Sequence, residues 1–399
     1  METTQAASES GILKRIGDRL SRVTSNGGFI PEIDGLRFVA IAAVVLHHIC
    51  AIYLEGSGRF GGDIHFPRDW RRLSNESTLI HSLWQGYFGV HLFFVLSGFV
   101  LGLPFVRHYL GGESKPSIKN YFVRRLTRIE PPYVLNMLVC LALFAINAPP
   151  IYRDTIEHLL ASLFYVHNAI YSRGSTLNGV TWSLEIEVQF YILAPLLAML
   201  FLSIRNTLVR RGVLIAAIYG CALFTQKILW ATQMEAVKMS LAAYLQYFLA
   251  GFLLADLHQS GALKKANWTW DVLGIAGATM TLLTMMYWRG PLYCALPFLV
   301  LAFYCGAFRG PLLQRIFTTR AIVIIGGMCY TIYLYHVAVI SVFKPIMRGV
   351  ASPDAPLWVD LGIQVAVFAP LILLICSVLF VYTEKPFMGK PFWKRSRAR

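Results

Sequence analysis

Charged side chains are scarce in this chain. Only 14% of its 399 residues are Asp, Glu, Lys or Arg, whereas a typical globular protein has about 25%. No Cys-x-x-Cys spacing, zinc signature or glycine-rich nucleotide loop occurs, so we expect neither a metal site nor a nucleotide-binding loop. All seven cysteines lie within apolar runs, and we expect them to be small buried residues rather than a disulfide framework.

A cleavable signal peptide is also missing. Residues 1–35 are too long and too polar, and no short apolar region with a small-residue cleavage site follows them. Within them, residues 12–23 alternate apolar and basic side chains at helical spacing. This pattern fits either a short helix on an anionic inner leaflet or a disordered basic tail. We therefore treat 1–35 as a basic cytoplasmic N-terminal segment.

Long apolar runs are what the chain has in abundance. Hydrophobic residues make up 56% of it, and repeated runs near 20 residues predict an all-α, polytopic membrane helix bundle. We predict about ten spans: 36–54, 84–104, 130–148, 186–204, 212–230, 240–257, 271–287, 290–307, 322–345 and 358–382. Residues 36–382 form the transmembrane domain, and 383–399 form a basic cytoplasmic tail. The segment 156–170 is too short to span, so we expect a helix packed at the outer surface.

The basic residues predict the orientation. In a soluble protein a net charge of +15 would indicate a nucleic-acid partner, but here topology explains it better. With both termini cytoplasmic, the inner segments hold 24 of the 36 lysines and arginines, as the positive-inside rule requires. We expect a multi-pass protein of an inner or plasma membrane, surrounded by lipid, with no nucleic-acid partner.

The first predicted span carries two ionisable side chains on one stripe. Arg37 and His48 are separated by three helical turns plus about 20°, which is roughly 16 Å along the axis; His47 points about 80° away. Ionisable groups in lipid are costly and mostly face a bundle interior or a watery cavity. Arg37 alone is equally compatible with snorkelling to the headgroups, and His48 with packing, but the pair favours a functional role.

A cationic cluster precedes the third span. Arg124, Arg125 and Arg128 come just before Pro131 and Pro132, and Arg124 and Arg128 share a helix face. Arginine forks bind phosphate oxygens bidentately. The alternative is that these residues only fix the topology and contact lipid headgroups.

Further polar residues lie in the fourth and ninth spans. Glu185 and Glu187 enter the fourth span from the outer side, and the deeper Glu187 is the better candidate partner for a buried histidine. His336 lies near mid-bilayer, with Tyr333 on its side of the helix. A mid-membrane imidazole with a polar neighbour indicates function by default.

Two features remain ambiguous from the residues alone. In the second span, Ser97 is either a nucleophile or a backbone-bonded hydroxyl, whereas Gly98 and Gly102 suit close helix approach. The long polar loop 55–83 either contacts a hydrophilic ligand or is a solvated lid.

Five segments together resemble the acyltransferase 3 family of integral-membrane acyltransferases. They run in family order: IDGLRFVAIAAVVLHH (33–48), GVHLFFVLSGFVLG (89–102), FVRRLTRIEPPY (122–133), WSLEIEVQFY (182–191) and CYTIYLYH (329–336). The resemblance implies transfer of an acyl group, often acetyl from acetyl-coenzyme A, to a hydroxyl of a carbohydrate or glycan acceptor. It implies no metal.

The resemblance also suggests roles. The family's Arg-to-His spacing falls on Arg37 and His48, and its acidic residue and late histidine fall on Glu187 and His336. We expect His48 to act as general base or transient acyl carrier, oriented by Glu187 or His336. We expect the phosphates of acyl-coenzyme A to bind the family's arginines before the third span, which fall on Arg124, Arg125 and Arg128.

Three positions depart from the family pattern. His91 stands where an acidic residue is common, Glu185 replaces a small residue, and Cys329 replaces the usual serine before Tyr330. These departures concern the acceptor and local polarity more than the reaction type. Because no hydrolase-like domain follows the last span, we expect the stand-alone form of the family.

Two other functions are compatible with intramembrane polar residues. A polytopic transporter would use them as a substrate or proton site, and it predicts inverted repeats and broken helices in matching halves. A non-catalytic partner in a polysaccharide-assembly machine predicts instead that Arg37 and His48 tolerate replacement.

Overall fold

A computed structural model describes residues 15, 17–23, 28–56, 77–147, 153–229, 235–263, 266–287, 291–350 and 355–388. This part of the chain is helical and contains no β-strand, which confirms the all-α prediction. Most of the predicted polar loop, residues 57–76, lies outside the described residues, as do residues 1–14 and 389–399 of the two basic terminal segments.

Seventeen α-helices occur in the described residues. The α-helices are α1 (Pro31–Gly56), α2 (Thr78–Trp84), α3 (Gly89–Gly111), α4 (Ile118–Asn147), α5 (Arg153–Leu163), α6 (His167–Tyr171), α7 (Trp182–Leu202), α8 (Thr207–Phe224), α9 (Glu235–Lys238), α10 (Leu245–Gln259), α11 (Trp268–Tyr287), α12 (Leu296–Arg309), α13 (Pro311–Phe317), α14 (Arg320–Gly327), α15 (Cys329–Val342), α16 (Lys344–Gly349) and α17 (Leu357–Leu379). Short 3₁₀ or π turns extend or join them at Gln85–Phe88, Gly179–Thr181, Thr225–Leu229, Leu241–Ala243, Pro291–Ala295, Phe380–Glu384 and Lys385–Phe387.

Several of these helices can cross a bilayer, and the chain is a multi-pass membrane protein. Among the described residues, seven stretches are long and apolar enough: Pro31–Glu55, Thr78–Gly111, Ile118–Ile146, Gly179–Leu202, Thr207–Lys227, Leu292–Arg309 and Leu357–Phe387. The pair α14–α15, bent by 70°, makes an eighth if it is counted as one span. The other two predicted spans coincide with α10 and α11, so the count of ten and the sides of the termini stay predictions.

Helix α1 lies at the centre and packs against α3, α14, α15 and α17. Its first turn holds Glu32 and Asp34, which are favourable at the positive end of a helix dipole. Gly89 allows α3 to approach it closely, since a Cβ there would lie 2.3 Å from the carbonyl oxygen of Ala40.

The close approach predicted for Gly98 and Gly102 is confirmed. A Cβ on Gly98 would lie 2.1 Å from the Phe248 carbonyl oxygen of α10, and one on Gly102 would lie 2.8 Å from the Phe252 ring. Small residues at such contacts let membrane helices pack backbone to backbone. The α3–α10 pair therefore forms a rigid wall beside α1.

The bend between α14 and α15 has a clear packing cause. A Cβ on Gly326 would lie 1.7 Å from the backbone oxygen of Asp34, so α14 can rest on α1 only with glycine there. At the new helix start, Glu384 accepts hydrogen bonds from the Thr331 backbone N–H at 3.1 Å and from its hydroxyl at 2.6 Å. This carboxylate satisfies a donor that a helix N-terminus leaves unpaired.

Candidate active site

A cavity of about 900 Å³, measured with its open mouth, lies between α1, α3, α4, α7 and α15. Most of its lining is aliphatic or aromatic. The polar and ionisable residues that line it are Arg37, Ser97, Arg125, Arg128, Ser183, Glu187, Tyr191, Cys329, Tyr330 and Tyr333. An apolar pocket with a few converging polar groups is the usual form of a ligand site.

Arg37 belongs to the wall of this cavity. Its Nη1 donates to Asp34 Oδ1 at 2.6 Å, and Arg22 Nη1 donates to the same oxygen at 2.9 Å. The guanidinium is thus held by a carboxylate within the bundle and does not snorkel along the lipid surface. Sequence reasoning did not single out Asp34, although its i,i+3 spacing to Arg37 was a readable signal.

Two of the three predicted arginines face the cavity. Arg125 and Arg128 line it, whereas Arg124 is exposed and outside the lining. The reason is helical geometry, because Arg124 is turned about 100° from Arg125. We predicted that all three arginines act at one site; Arg125 and Arg128 share the cavity, and a role for Arg124 there stays a prediction.

Arg125 and Arg128 differ in their surroundings. Arg128 Nη2 lies 3.9 Å from Glu384 Oε1, a second carboxylate that sequence reasoning missed although it ends the last apolar run. Arg125 makes no ion pair within the described residues; its guanidinium lies 5.9 Å from the centre of the Tyr121 ring, and its buried Nε has no hydrogen-bond partner there. Arg125 is therefore a cation with unused hydrogen-bonding capacity.

Glu187 lies in the part of the cavity wall that α7 contributes. It accepts a short hydrogen bond from the Ser97 hydroxyl, and the Tyr191 hydroxyl also faces it. We predicted an imidazole as its partner, and the structure pairs it with a serine instead. Ser97, which the sequence left ambiguous, lies in the cavity wall with a carboxylate beside it.

The structure brings His48 and His336 together from opposite ends of the sequence. His48 Nδ1 lies 3.2 Å from His336 Nε2, and the ring centres are 4.9 Å apart. His336 is fully buried. Tyr333 links the pair to the cavity, since it lines the cavity and its ring centre lies 6.0 Å from that of His336.

The hydrogen bonds assign the proton positions in this pair. His336 Nδ1 lies 2.8 Å from the Tyr333 carbonyl oxygen; a carbonyl only accepts, so Nδ1 carries the proton and Nε2 holds a lone pair. His48 Nδ1 lies 2.9 Å from the Val44 carbonyl oxygen and donates both there and to His336. The basic lone pair of His48 is therefore on Nε2.

The departures from the family pattern have separate surroundings. His91 stacks on Phe88, with ring centres 4.4 Å apart, and is not among the residues lining the cavity. Glu185 Oε2 accepts from the Asn168 backbone N–H at 2.8 Å, away from the cavity. Only Cys329 lies in the cavity wall.

The segment expected to pack at the outer surface forms two short helices, α5 and α6. His158 Nδ1 and His167 Nε2 lie 2.9 Å apart, and His167 Nδ1 lies 3.0 Å from the Arg173 carbonyl oxygen. Burial holds the pKa of His167 below its ordinary value, and the hydrogen bond to the Arg173 carbonyl opposes this shift only in part. Burial thus favours the neutral imidazole of His167.

Comparisons with known proteins identify the family of the chain. The family model described as an acyltransferase domain, acyltransferase 3, matches residues 30–382. The peptidoglycan O-acetyltransferase OatA of Listeria monocytogenes is 24% identical over 91% of this chain and 56% of its own length. A putative O-acetyltransferase of Staphylococcus aureus is 25% identical over 86% of this chain and 56% of its own.

A third relative, the O-acetyltransferase OatA of Staphylococcus aureus, is 24% identical over 78% of this chain and 51% of its own length. The chain thus spans about half the length of the curated relatives it matches. No solved structure matches it. Since the family model covers nearly all of the helical region, the chain belongs to the acyltransferase 3 family of membrane-embedded acyltransferase domains.

Proposed function

We propose that this chain transfers an acyl group, normally acetyl, from acyl-coenzyme A to a hydroxyl of a carbohydrate or glycan acceptor. The observation that carries the proposal is the His48–His336 pair, which leaves a basic nitrogen on His48. Neither imidazole lines the arginine-lined cavity, but Tyr333, which does line it, lies beside His336. The acceptor class is supported by the name of the Listeria relative, a peptidoglycan O-acetyltransferase.

The cavity has the charges that a phosphorylated donor requires. Arg125 has no carboxylate partner in the described structure, and Arg128 lies only at the limit of an ion pair with Glu384. Guanidinium groups bind phosphate oxygens through paired N–H donors. The coenzyme's phosphates would bind these two arginines, and the thioester would extend along the aromatic wall toward Tyr333. A role for Arg124 stays a prediction from the sequence.

The chemistry follows from the assigned protons. His48 Nε2 removes the proton of the acceptor hydroxyl as its oxygen attacks the thioester carbonyl carbon, forming the new C–O bond. When the C–S bond breaks, the thiolate takes that proton from the His48 imidazolium. His336 accepts the Nδ1–H bond and stabilises the imidazolium, as the third member of a catalytic triad does.

Two other side chains have proposed roles. Arg37, held by Asp34 at the far end of α1 from His48, would contact the donor in the cavity with its remaining N–H donors. Glu187 would orient the Ser97 hydroxyl in the donor cavity. The same lone pair on His48 Nε2 is suited to carry the acyl group transiently, so a covalent route uses the same residue.

The donor can be tested with purified protein in proteoliposomes supplied with radiolabelled acetyl-coenzyme A and a soluble oligosaccharide. We expect labelled ester on the sugar, and we expect coenzyme A to inhibit far more strongly than pantetheine, which lacks the nucleotide phosphates. Equal inhibition by the two compounds would contradict phosphate binding at the arginines. Transfer only from a donor without coenzyme A would contradict the donor assignment.

A further inference from the structure

A second hollow lies against another face of α1. It measures about 870 Å³ with its open side and lies between α1, α3, α11 and α12. We call it the lateral slot and define it by Val39, Ala43 and Leu46 of α1 with Ala278 and Leu282 of α11. Its lining is predominantly apolar, and it shares none of its residues with the arginine-lined cavity.

The slot opens sideways. Leu282 is 44% exposed, and the three α1 residues are half-buried. Helix α1 can cross a bilayer and α11 is predicted from the sequence to cross it, so apolar side chains exposed on this side would face lipid hydrocarbon. Val39 to Leu46 covers about 10 Å along α1. A narrow apolar slot of this length, open to lipid, is suited to one hydrocarbon chain.

One amide side chain lines the slot. Gln85 is 6% exposed as a whole residue, and no hydrogen bond of its side-chain amide lies within the described residues. The neighbouring Ser82 and Thr281 hydroxyls donate to backbone oxygens. The Gln85 amide is therefore the donor available to a ligand carbonyl in the slot.

We propose that the lateral slot binds one fatty-acyl chain of a membrane phospholipid, with the ester carbonyl accepting a hydrogen bond from the Gln85 amide. The fatty-acyl chain of the lipid packs between α1 and α11, and the lipid headgroup lies at the end of the slot near Gln85. This site is independent of the proposed acyl transfer, since lipid retention can be measured without donor or acceptor.

The chain-binding part is tested by native mass spectrometry of purified, partly delipidated protein with added diacyl phosphatidylglycerol. Ala278→Trp and Leu46→Trp fill the slot from its two walls. The matched control is Ile275→Trp on the same helix, where the side chain is 47% exposed and outside the slot lining. We expect both filling variants to retain about tenfold less lipid than the control. Retention at the control level in both filling variants would overturn the proposal.

The ester contact is tested by comparing diacyl phosphatidylglycerol with its diether analogue. We expect wild-type protein to prefer the diester by about threefold to tenfold, as one hydrogen bond predicts, and Gln85→Leu to lose that preference. Equal binding of the two lipids by wild-type protein would overturn the assignment of Gln85, and so would a preference that survives Gln85→Leu.

Discussion

Two hollows border α1, and they differ in chemistry. The arginine-lined cavity lies on the face that carries Arg37, whereas the lateral slot lies along Val39, Ala43 and Leu46. Those three residues recur at helical spacing, and Ala43 is turned about 140° from His48. Helix α1 thus presents Arg37 to the interior cavity and apolar side chains to the lateral slot.

Helix α3 repeats this division. Phe93, Ser97 and Val100 line the cavity, whereas Gly89 and Leu92 line the slot. The pair α1–α3 is therefore a partition between a polar and an apolar compartment. The cost of ionisable groups in lipid explains why they lie on one side of it. Because the two hollows share no lining residue, a substitution can perturb one of them and leave the other unchanged.

The largest effect should come from His48. His48→Ala removes the proposed base and should lower kcat about 100- to 10,000-fold, while lipid retention in the slot stays at the wild-type level. Acetyl transfer in proteoliposomes and native mass spectrometry measure the two quantities. His108→Ala is the control, because His108 lies at the end of α3 and contacts the Glu113 carbonyl. Wild-type transfer by His48→Ala would refute the base role, and loss of lipid as well would break the separation of the hollows.

A smaller effect is expected at the donor arginines. Arg125→Gln should raise KM for acetyl-coenzyme A about 10- to 100-fold, with less change in kcat, because a charge-assisted contact to phosphate is lost. Arg124→Gln is the matched comparison on the same helix and should raise KM much less, since Arg124 is exposed outside the cavity. Equal effects of both variants would return Arg124 to the donor site.

Replacing Glu384 should affect the arginine-lined cavity and not the lateral slot, because Glu384 contacts Arg128 and Thr331. Glu384→Ala leaves the Thr331 N–H at the start of α15 unpaired and should destabilise the fold by about 1–3 kcal/mol. Glu384→Gln keeps an acceptor and should lose less. Thermal unfolding of both variants in detergent measures the difference. Identical losses would show that the charge beside Arg128, rather than the hydrogen bond, is what matters.

The smallest effect expected is the pH dependence of local stability around His167. Activity and lipid retention are best compared at a pH where this region is stable. Because burial lowers the pKa of His167 in the folded chain, folding favours its neutral form. The associated stability is fully present above the ordinary histidine pKa of about 6.5 and is lost as pH falls below it. Hydrogen exchange across α5 and α6 should therefore quicken from pH 7.5 to 5.5. Exchange that is unchanged after correction for intrinsic pH dependence would contradict this.

The candidate site was only partly predictable. Apolar run lengths predicted membrane helices, and helical periodicity placed Arg37 and His48 on one stripe. The partners of the site residues come from distant parts of the sequence: His336 lies beside His48, and Glu384 lies beside Arg128. The sequence alone did not predict these contacts. Helical periodicity could not predict that Arg124 lies outside the cavity lining, because this depends on which side of α4 packs against α15.

From the residues alone, the chain had to be a helical membrane protein of its family, because 56% hydrophobic composition and five ordered motifs leave little else. Which nitrogen of His48 is basic, which carboxylate faces Ser97, and that α1 separates two unlike hollows were decided by packing. The physical reason is that helix periodicity fixes the direction of a side chain relative to its own axis, whereas hydrogen bonds between helices depend on how those axes are brought together.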